Sequence, residues 1–208
     1  MMPAGSEKLT AARKEEIVGA CAQLYEVMPF KNITLGVIGE KTSFTRTSIY
    51  NYFRTKEEIF LALLEREYTA WVADLLHLTA HTVEEAQFPA AFAALLERRK
   101  CMLKLLSMNL YDMESGSRLE NLVAFKRVYG AALTAVAACV RAHLPRLSES
   151  EVQRFLYAFF PFLFGIYPYS EASEKQKKAM DIVGIPYPDL SVSALVAPFV
   201  STLLGCKK

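Results

Sequence analysis

The chain has 208 residues, 52% of them apolar, with 24 Lys and Arg against 22 Asp and Glu. That length can bury a core large enough to fold without covalent staples, and a net charge of +2 does not mark the whole chain as a nucleic-acid binder. Cys21, Cys101, Cys139 and Cys206 form no C-x-x-C pair and the N-terminus lacks a secretory layout, so the sequence reads as cytoplasmic rather than as a secreted disulfide scaffold.

Charge is uneven along the chain. Residues 1–56 hold eight Lys and Arg against five Glu, a net of +3, and the remainder holds 16 basic against 17 acidic residues, a net of −1. Valine and isoleucine sit among Ala, Leu, Glu and Lys at helical spacing, which predicts an all-α fold. Thr10 is placed to cap a first helix with Ile17, Cys21, Leu24 and Met28 on one stripe, and Pro29 ends it. Thr34 caps a short second helix over 35–41. Thr42, Ser43 and Phe44 make a turn, and Thr45 caps a third helix reaching about residue 53.

Thr55 and Glu58 have the spacing of a capping box, so a fourth helix starts at Lys56 and runs to about residue 78, burying Ile59, Phe60, Leu63, Leu64, Trp71 and Leu75. At 1.5 Å per residue it is a rod of about 35 Å, joining an N-terminal head to a C-terminal helical lobe. Further helices are predicted at 89–110, 117–143, 148–166 and 191–205, with the polar segment 170–178 as a mobile loop and Pro161 as a kink. This divides the chain into an N-terminal head, 1–56, and a C-terminal helical lobe, 57–208. The stretches 155–170 and 190–206 carry no charge, yet each is shorter than the ~20 apolar residues of a membrane span and is broken by Pro161 and Pro168 or by Pro198. They read as faces covered by a second copy, giving a homodimer through the 148–166 and 191–205 helices and no membrane partner.

Three short helices around Phe30, Ile38, Phe44, Ile49 and Phe53 describe a helix-turn-helix. A third helix that buries Ile49 and Phe53 turns Arg46, Thr47, Ser48, Tyr50 and Asn51 outward. Those side chains suit a DNA groove: Arg46 for guanine O6 and N7, Thr47 and Ser48 for base edges, Asn51 for adenine or phosphate, and Tyr50 with a polar tip on an exposed ring.

From Leu24 to Ile59 the sequence resembles the TetR family of transcriptional regulators. The resemblance rests on Leu24-Tyr25, Phe30, Thr34-Leu35, Ile38, Phe44-Thr45, Ser48-Ile49-Tyr50, Tyr52-Phe53 and Thr55-Lys56-Glu57. It implies DNA contacts from Thr34, Thr45, Arg46, Thr47, Ser48, Tyr50, Asn51 and Tyr52, and a phosphate contact from Lys56 at a helix start. The chain departs from the pattern at Pro29 and Ser43, where glycine is usual, at Gly39, where alanine is usual, and at Gly36, where Arg often stands. Ser43 is therefore expected to take a glycine-like backbone at some cost.

For the lobe the resemblance implies only a variable helical domain. Phe92, Met102, Leu105, Phe125, Tyr129 and Phe159 are candidates to line a site for a mainly apolar effector, although such stripes also serve as plain core. No cofactor is implied. With three histidines and no phosphate loop or nucleophile elbow, the chain does not read as an enzyme, and His77 with His81 reads as a solvated helix end rather than a metal site. The function read from the sequence is a dimeric regulator, a repressor, released from a near-palindromic operator by a small apolar ligand. The rival readings are a regulator that activates or needs no ligand, and a helical interaction module for protein or membrane.

Overall fold

The computed structural model describes residues 4–43 and 45–206; Phe44, expected in the turn and core of the head, and the side chains of Arg46 and of residues 4–7 lie outside that description. Among the described residues every regular element is helical: α1 Ala4–Val27, a 3-10 turn Phe30–Asn32, α2 Leu35–Gly39, α3 Arg46–Ile49, α4 Lys56–Thr79, α5 Phe88–Glu97, α6 Lys100–Ser115, α7 Leu119–His143, α8 Glu149–Ser170, α9 Glu174–Ile182 and α10 Val192–Leu204. They fall into two compact units, Met1–Glu67 with Asn109–Val128, and Tyr68–Met108 with Tyr129–Lys208. Helices α4, α6 and α7 contribute residues to both.

In the first unit Ile17, Cys21 and Leu24 of the α1 stripe and Ile33, Ile38, Ile49, Phe53, Ile59 and Leu63 are buried, whereas Met28, expected on that stripe, lies past the end of α1 and is half-buried. The Phe60 ring anchors this core, edge-on to Tyr25 at 5.1 Å and tilted against Phe30 at 4.6 Å. Burial of one such ring is worth about 1.5–3 kcal/mol. The first helix begins at Ala4, so Thr10 lies inside it rather than capping it: Lys8-Leu9-Thr10-Ala11 holds neither glycine nor proline to interrupt a helical backbone. The second helix stops at Gly39, short of residue 41, because Lys41 and Thr42 N–H groups donate to Ile38 and Gly39 carbonyls and tighten the end into a turn. The third stops at Ile49, whose carbonyl then takes the N–H groups of Tyr52 (2.9 Å) and Phe53 (3.0 Å), carrying the chain on by turns.

The second unit is centred on aromatic rings. Phe92 meets Phe159 at 5.3 Å, Phe159 stacks on Phe155 at 5.1 Å, and Trp71 lies 6.1 Å from Phe160. Helix α10 packs on α5 and α8, with Phe199 stacked on Phe162 at 3.8 Å. Helix α7 is long and apolar enough to cross a membrane by composition, yet its buried positions Ala132, Val136, Cys139 and Val140 recur every three or four residues, the pattern of a helix covered along one side.

Two expectations for the lobe are corrected. The single helix at 89–110 is two, α5 and α6, because the chain breaks at Arg98–Arg99, where the Arg99 guanidinium turns to Asp74 (Nε at 3.0 Å, Nη2 at 2.5 Å). The segment 170–178 is not a loop. Ser173 caps α9 by accepting the Gln176 N–H at 3.2 Å, and Glu174 sits in the first turn, where a negative charge favours a helix start. Helix α8 begins at the expected place through a capping box between Ser148 and Glu151 and continues past Pro161 and Pro168 to Ser170.

Candidate nucleic-acid interface and ligand cleft

The turn between α2 and α3 is held from below. Ser43 N–H donates to Glu16 Oε1 of α1 at 2.7 Å, which keeps that carboxyl below the usual range, and Thr42 Oγ1 donates to the Gly39 carbonyl at 3.1 Å. The expected strain at Ser43 is absent: no non-glycine among the described residues has positive φ, so Ser43 does not take a left-handed backbone. Glu16 was not legible as part of this turn, since it lies 27 positions away in sequence.

Both short helices start on threonine caps. Thr34 Oγ1 accepts from Val37 N–H and Thr45 Oγ1 from Ser48 N–H, each at 3.2 Å. Thr34, Thr45, Thr47, Tyr50 and Asn51 are exposed, with Tyr50 at 46%. Ser48 is half-buried and its hydroxyl lies 3.0 Å from Thr45 Oγ1, so it stabilises the helix start as well as flanking the exposed row. The Tyr52 hydroxyl accepts from Arg13 Nη1 at 3.0 Å, and the Lys56 ammonium donates to the Phe30 carbonyl at 2.9 Å, 4.2 Å over the Phe30 ring. An ammonium has three donors, and this contact uses one.

Gly36 leaves an opening on the same row. Among the described residues a Cβ there would meet only Thr34 Oγ1, at 3.6 Å, an ordinary contact. Gly36→Arg is therefore expected to raise the melting temperature slightly, because it removes a helical glycine, and to steepen the salt dependence of duplex DNA binding by about one unit of log–log slope. Fluorescence anisotropy over a range of salt concentrations checks this.

The start of α4 is clamped by the turn that leads into α7. Thr55 Oγ1 donates to the Gly116 carbonyl at 3.0 Å and accepts from Glu58 N–H at 3.2 Å. Only half of the expected capping box forms. The Glu58 carboxylate does not return to Thr55; it accepts from Arg54 N–H (2.8 Å), Arg118 N–H (3.3 Å) and Arg118 Nε (2.5 Å) and Nη2 (3.0 Å). Glu58 is 1% exposed. Burial pushes its carboxyl up, but the Arg118 and Arg54 hydrogen bonds outweigh that and leave it below the usual range. Gly116 fits this place because a Cβ would lie 2.6 Å from Glu57 Cγ.

In the second unit a cleft of about 520 Å3 lies between α7 (Tyr129, Leu133, Thr134, Ala137, Arg141) and α8 (Gln153, Leu156, Tyr157, Phe160, Pro161). Of the six residues read as ligand-lining, Tyr129 borders this cleft. Phe92, Met102, Leu105 and Phe159 are fully buried in the same unit, and Phe125 belongs to the first. The facing stripes 129-133-137-141 and 153-157-161 were visible as helical repeats, but nothing in one helix says which partner its stripe meets. His77 and His81 rings lie 4.2 Å apart, and among the described residues no group of three or more His, Cys, Asp or Glu side chains has metal-binding spacing.

Helices throughout the described residues, with short threonine-capped helices near the N-terminus and a longer run of helices after them in the chain, are the build of a helical transcriptional regulator. A family model described as "Tetracyclin repressor-like, C-terminal domain" matches residues 65–205, and the chain belongs to that family of transcriptional regulators. No curated protein sequence matches it. Among solved structures it is similar to the fatty acid degradation regulator FadR from Bacillus halodurans (TM-score 0.61, 14% identity, covering 92% of this chain and 94% of that one). It is similar also to the transcriptional regulator FadR from Bacillus subtilis, solved in complex with stearoyl-CoA (TM-score 0.61, 12% identity, covering 93% of this chain and 99% of that one). At such identities the likeness is one of fold.

Proposed function

We propose that the chain is a dimeric DNA-binding repressor of the cytoplasm, released from a near-palindromic operator by a small, mainly apolar effector. The observation that carries this reading is the set of exposed side chains Thr45, Thr47, Tyr50 and Asn51 in and flanking a short third helix that is capped by Thr45, with Ser43 before it tied to Glu16. A cluster of exposed hydroxyls, an amide and a phenol suits base edges and phosphates. Arg46, whose side chain lies outside the described residues, supplies the guanine contact in this reading. Thr34, Ser48, Tyr52 and Lys56 set register on the backbone. The head for DNA is 1–56 and the lobe for ligand and partner is 57–208.

Dimerisation through α8 and α10 is supported by the apolar side chains they leave exposed away from the cleft: Phe164 (38%), Tyr169 (67%) and Leu203 (42%). The apolar cleft between α7 and α8, and a relative of the same fold solved with stearoyl-CoA, support an effector with a large apolar part.

The test is a pair of substitutions read on two DNAs, a random-sequence duplex and one selected from a random pool. Arg46→Ala should cost about 1–3 kcal/mol on the selected duplex and relax preference at one base pair. Lys56→Ala should weaken both duplexes alike and lower the magnitude of the salt slope by about one. Equal losses on both duplexes for Arg46→Ala, or binding insensitive to salt, would overturn the reading.

A further inference from the structure

We propose that the α7–α8 cleft binds an elongated amphipathic carboxylate, with Arg141 as the anchor for its anionic head; this rests on reading the chain as a ligand-switched regulator. The cleft has a direction. Its α7 wall runs from Tyr129 to Arg141, three successive four-residue steps on one side of the helix and about 18 Å at 1.5 Å per residue. The two ends are chemically unlike. At one, Tyr129 and Phe160 meet edge to face at 5.4 Å; at the other, the Arg141 guanidinium reaches the first turn of α8 and donates to Glu149 through Nε at 2.7 Å and Nη2 at 2.6 Å. Between them the wall is mainly Leu133, Ala137 and Leu156, with the neutral polar side chains of Thr134, Gln153 and Tyr157 beside them.

Among the described residues Arg141 is the one charged side chain lining the cleft. Its partner Glu149 is 72% exposed, and an ion pair that open to water contributes little to stability, so an incoming carboxylate can take the guanidinium fork without a large loss. A guanidinium presents five donors in a plane, which matches a carboxylate bidentately and allows Glu149 to keep one contact. A mainly apolar, otherwise uncharged wall ending in a cation favours a single anionic head on a long apolar body. A neutral alcohol of the same length loses the head contact, and a doubly charged body would leave a charge against Leu133 and Leu156.

The probe is dodecanoate, kept below its micellar concentration and compared with 1-dodecanol, on the full chain. The readout is built in: Trp71 is the chain's only tryptophan, is fully buried, and lies 6.1 Å from Phe160 of the cleft wall. Dodecanoate should change its emission saturably. Arg141→Gln should weaken dodecanoate about 10- to 100-fold, the ratio equivalent to losing charge-assisted hydrogen bonds, and leave dodecanol unchanged, while Arg141→Lys should restore part of the loss. Equal affinities for acid and alcohol, or no loss on Arg141→Gln, overturn the proposal. So does a result in which Arg141→Gln weakens subunit association in sedimentation but not dodecanoate binding, since the cleft would then be a subunit face. Salt-dependent DNA binding is measured on the same preparations. DNA binding without dodecanoate binding overturns the cleft assignment and leaves the regulator reading standing; dodecanoate binding without DNA binding does the reverse.

Discussion

Glu58→Ala is expected to lower the melting temperature by on the order of 10 °C, equivalent to about 3 kcal/mol for a chain of this size. The side chain is buried and serves four donors: the Arg54 N–H, the Arg118 N–H and two nitrogens of the Arg118 guanidinium. Removing it strips the partners from all of them at the point where α4 begins. Glu58→Gln keeps the volume but not the charge and should recover less than half of the loss. The pH dependence separates the two roles. Because the folded carboxyl lies below the usual range, its contribution is fully present above the ordinary carboxylate value and is lost as pH falls through the folded value. Stability of the wild type should therefore drop more steeply with acid than that of Glu58→Gln. Calorimetry between pH 3 and pH 7, the span about the ordinary carboxylate value, checks this. Parallel acid profiles would show that Glu58 acts by packing alone.

Phe164→Glu, alone or with Leu203→Glu, is expected to convert the protein to a monomer at micromolar concentration. Both residues stand partly exposed on helices that pack on one another, so each substitution costs the isolated chain little. In a twofold interface every substitution counts twice, and each unpaired carboxylate placed in an apolar contact costs several kcal/mol. Even about 2 kcal/mol per site raises the dimer dissociation constant about 1,000-fold. Sedimentation velocity reads this directly. Tyr111→Glu on α6, where the tyrosine is 82% exposed, is the control and should leave the assembly unchanged. A monomeric wild type, or a Phe164→Glu protein that stays dimeric, would remove the dimer from the proposed function. The monomer should also bind a palindromic site as two independent halves, with weaker apparent affinity and a shorter footprint.

What the amino-acid sequence determined unaided was whatever depends on neighbours within about four residues. The threonine caps at Thr34 and Thr45, the start of α4 at Lys56, the Ser148 start of α8 and the Ile17, Cys21 and Leu24 positions of the α1 stripe appear where the sequence placed them, because caps and helical stripes are local hydrogen-bonding and packing patterns. Density of family-like residues between Leu24 and Ile59 was local in the same sense. Tertiary structure decided everything that joins distant positions. It broke 89–110 at Arg99 through Asp74, relieved Ser43 through Glu16, and took Glu58 from its capping box to Arg118. It also put Phe92, Met102, Leu105 and Phe159 into packed core and opened the cleft between two stripes that no single-helix pattern could match to each other. The physical reason is the same in each case: a carboxylate or an apolar stripe has many acceptable partners, and only the folded chain brings one of them within 3–4 Å.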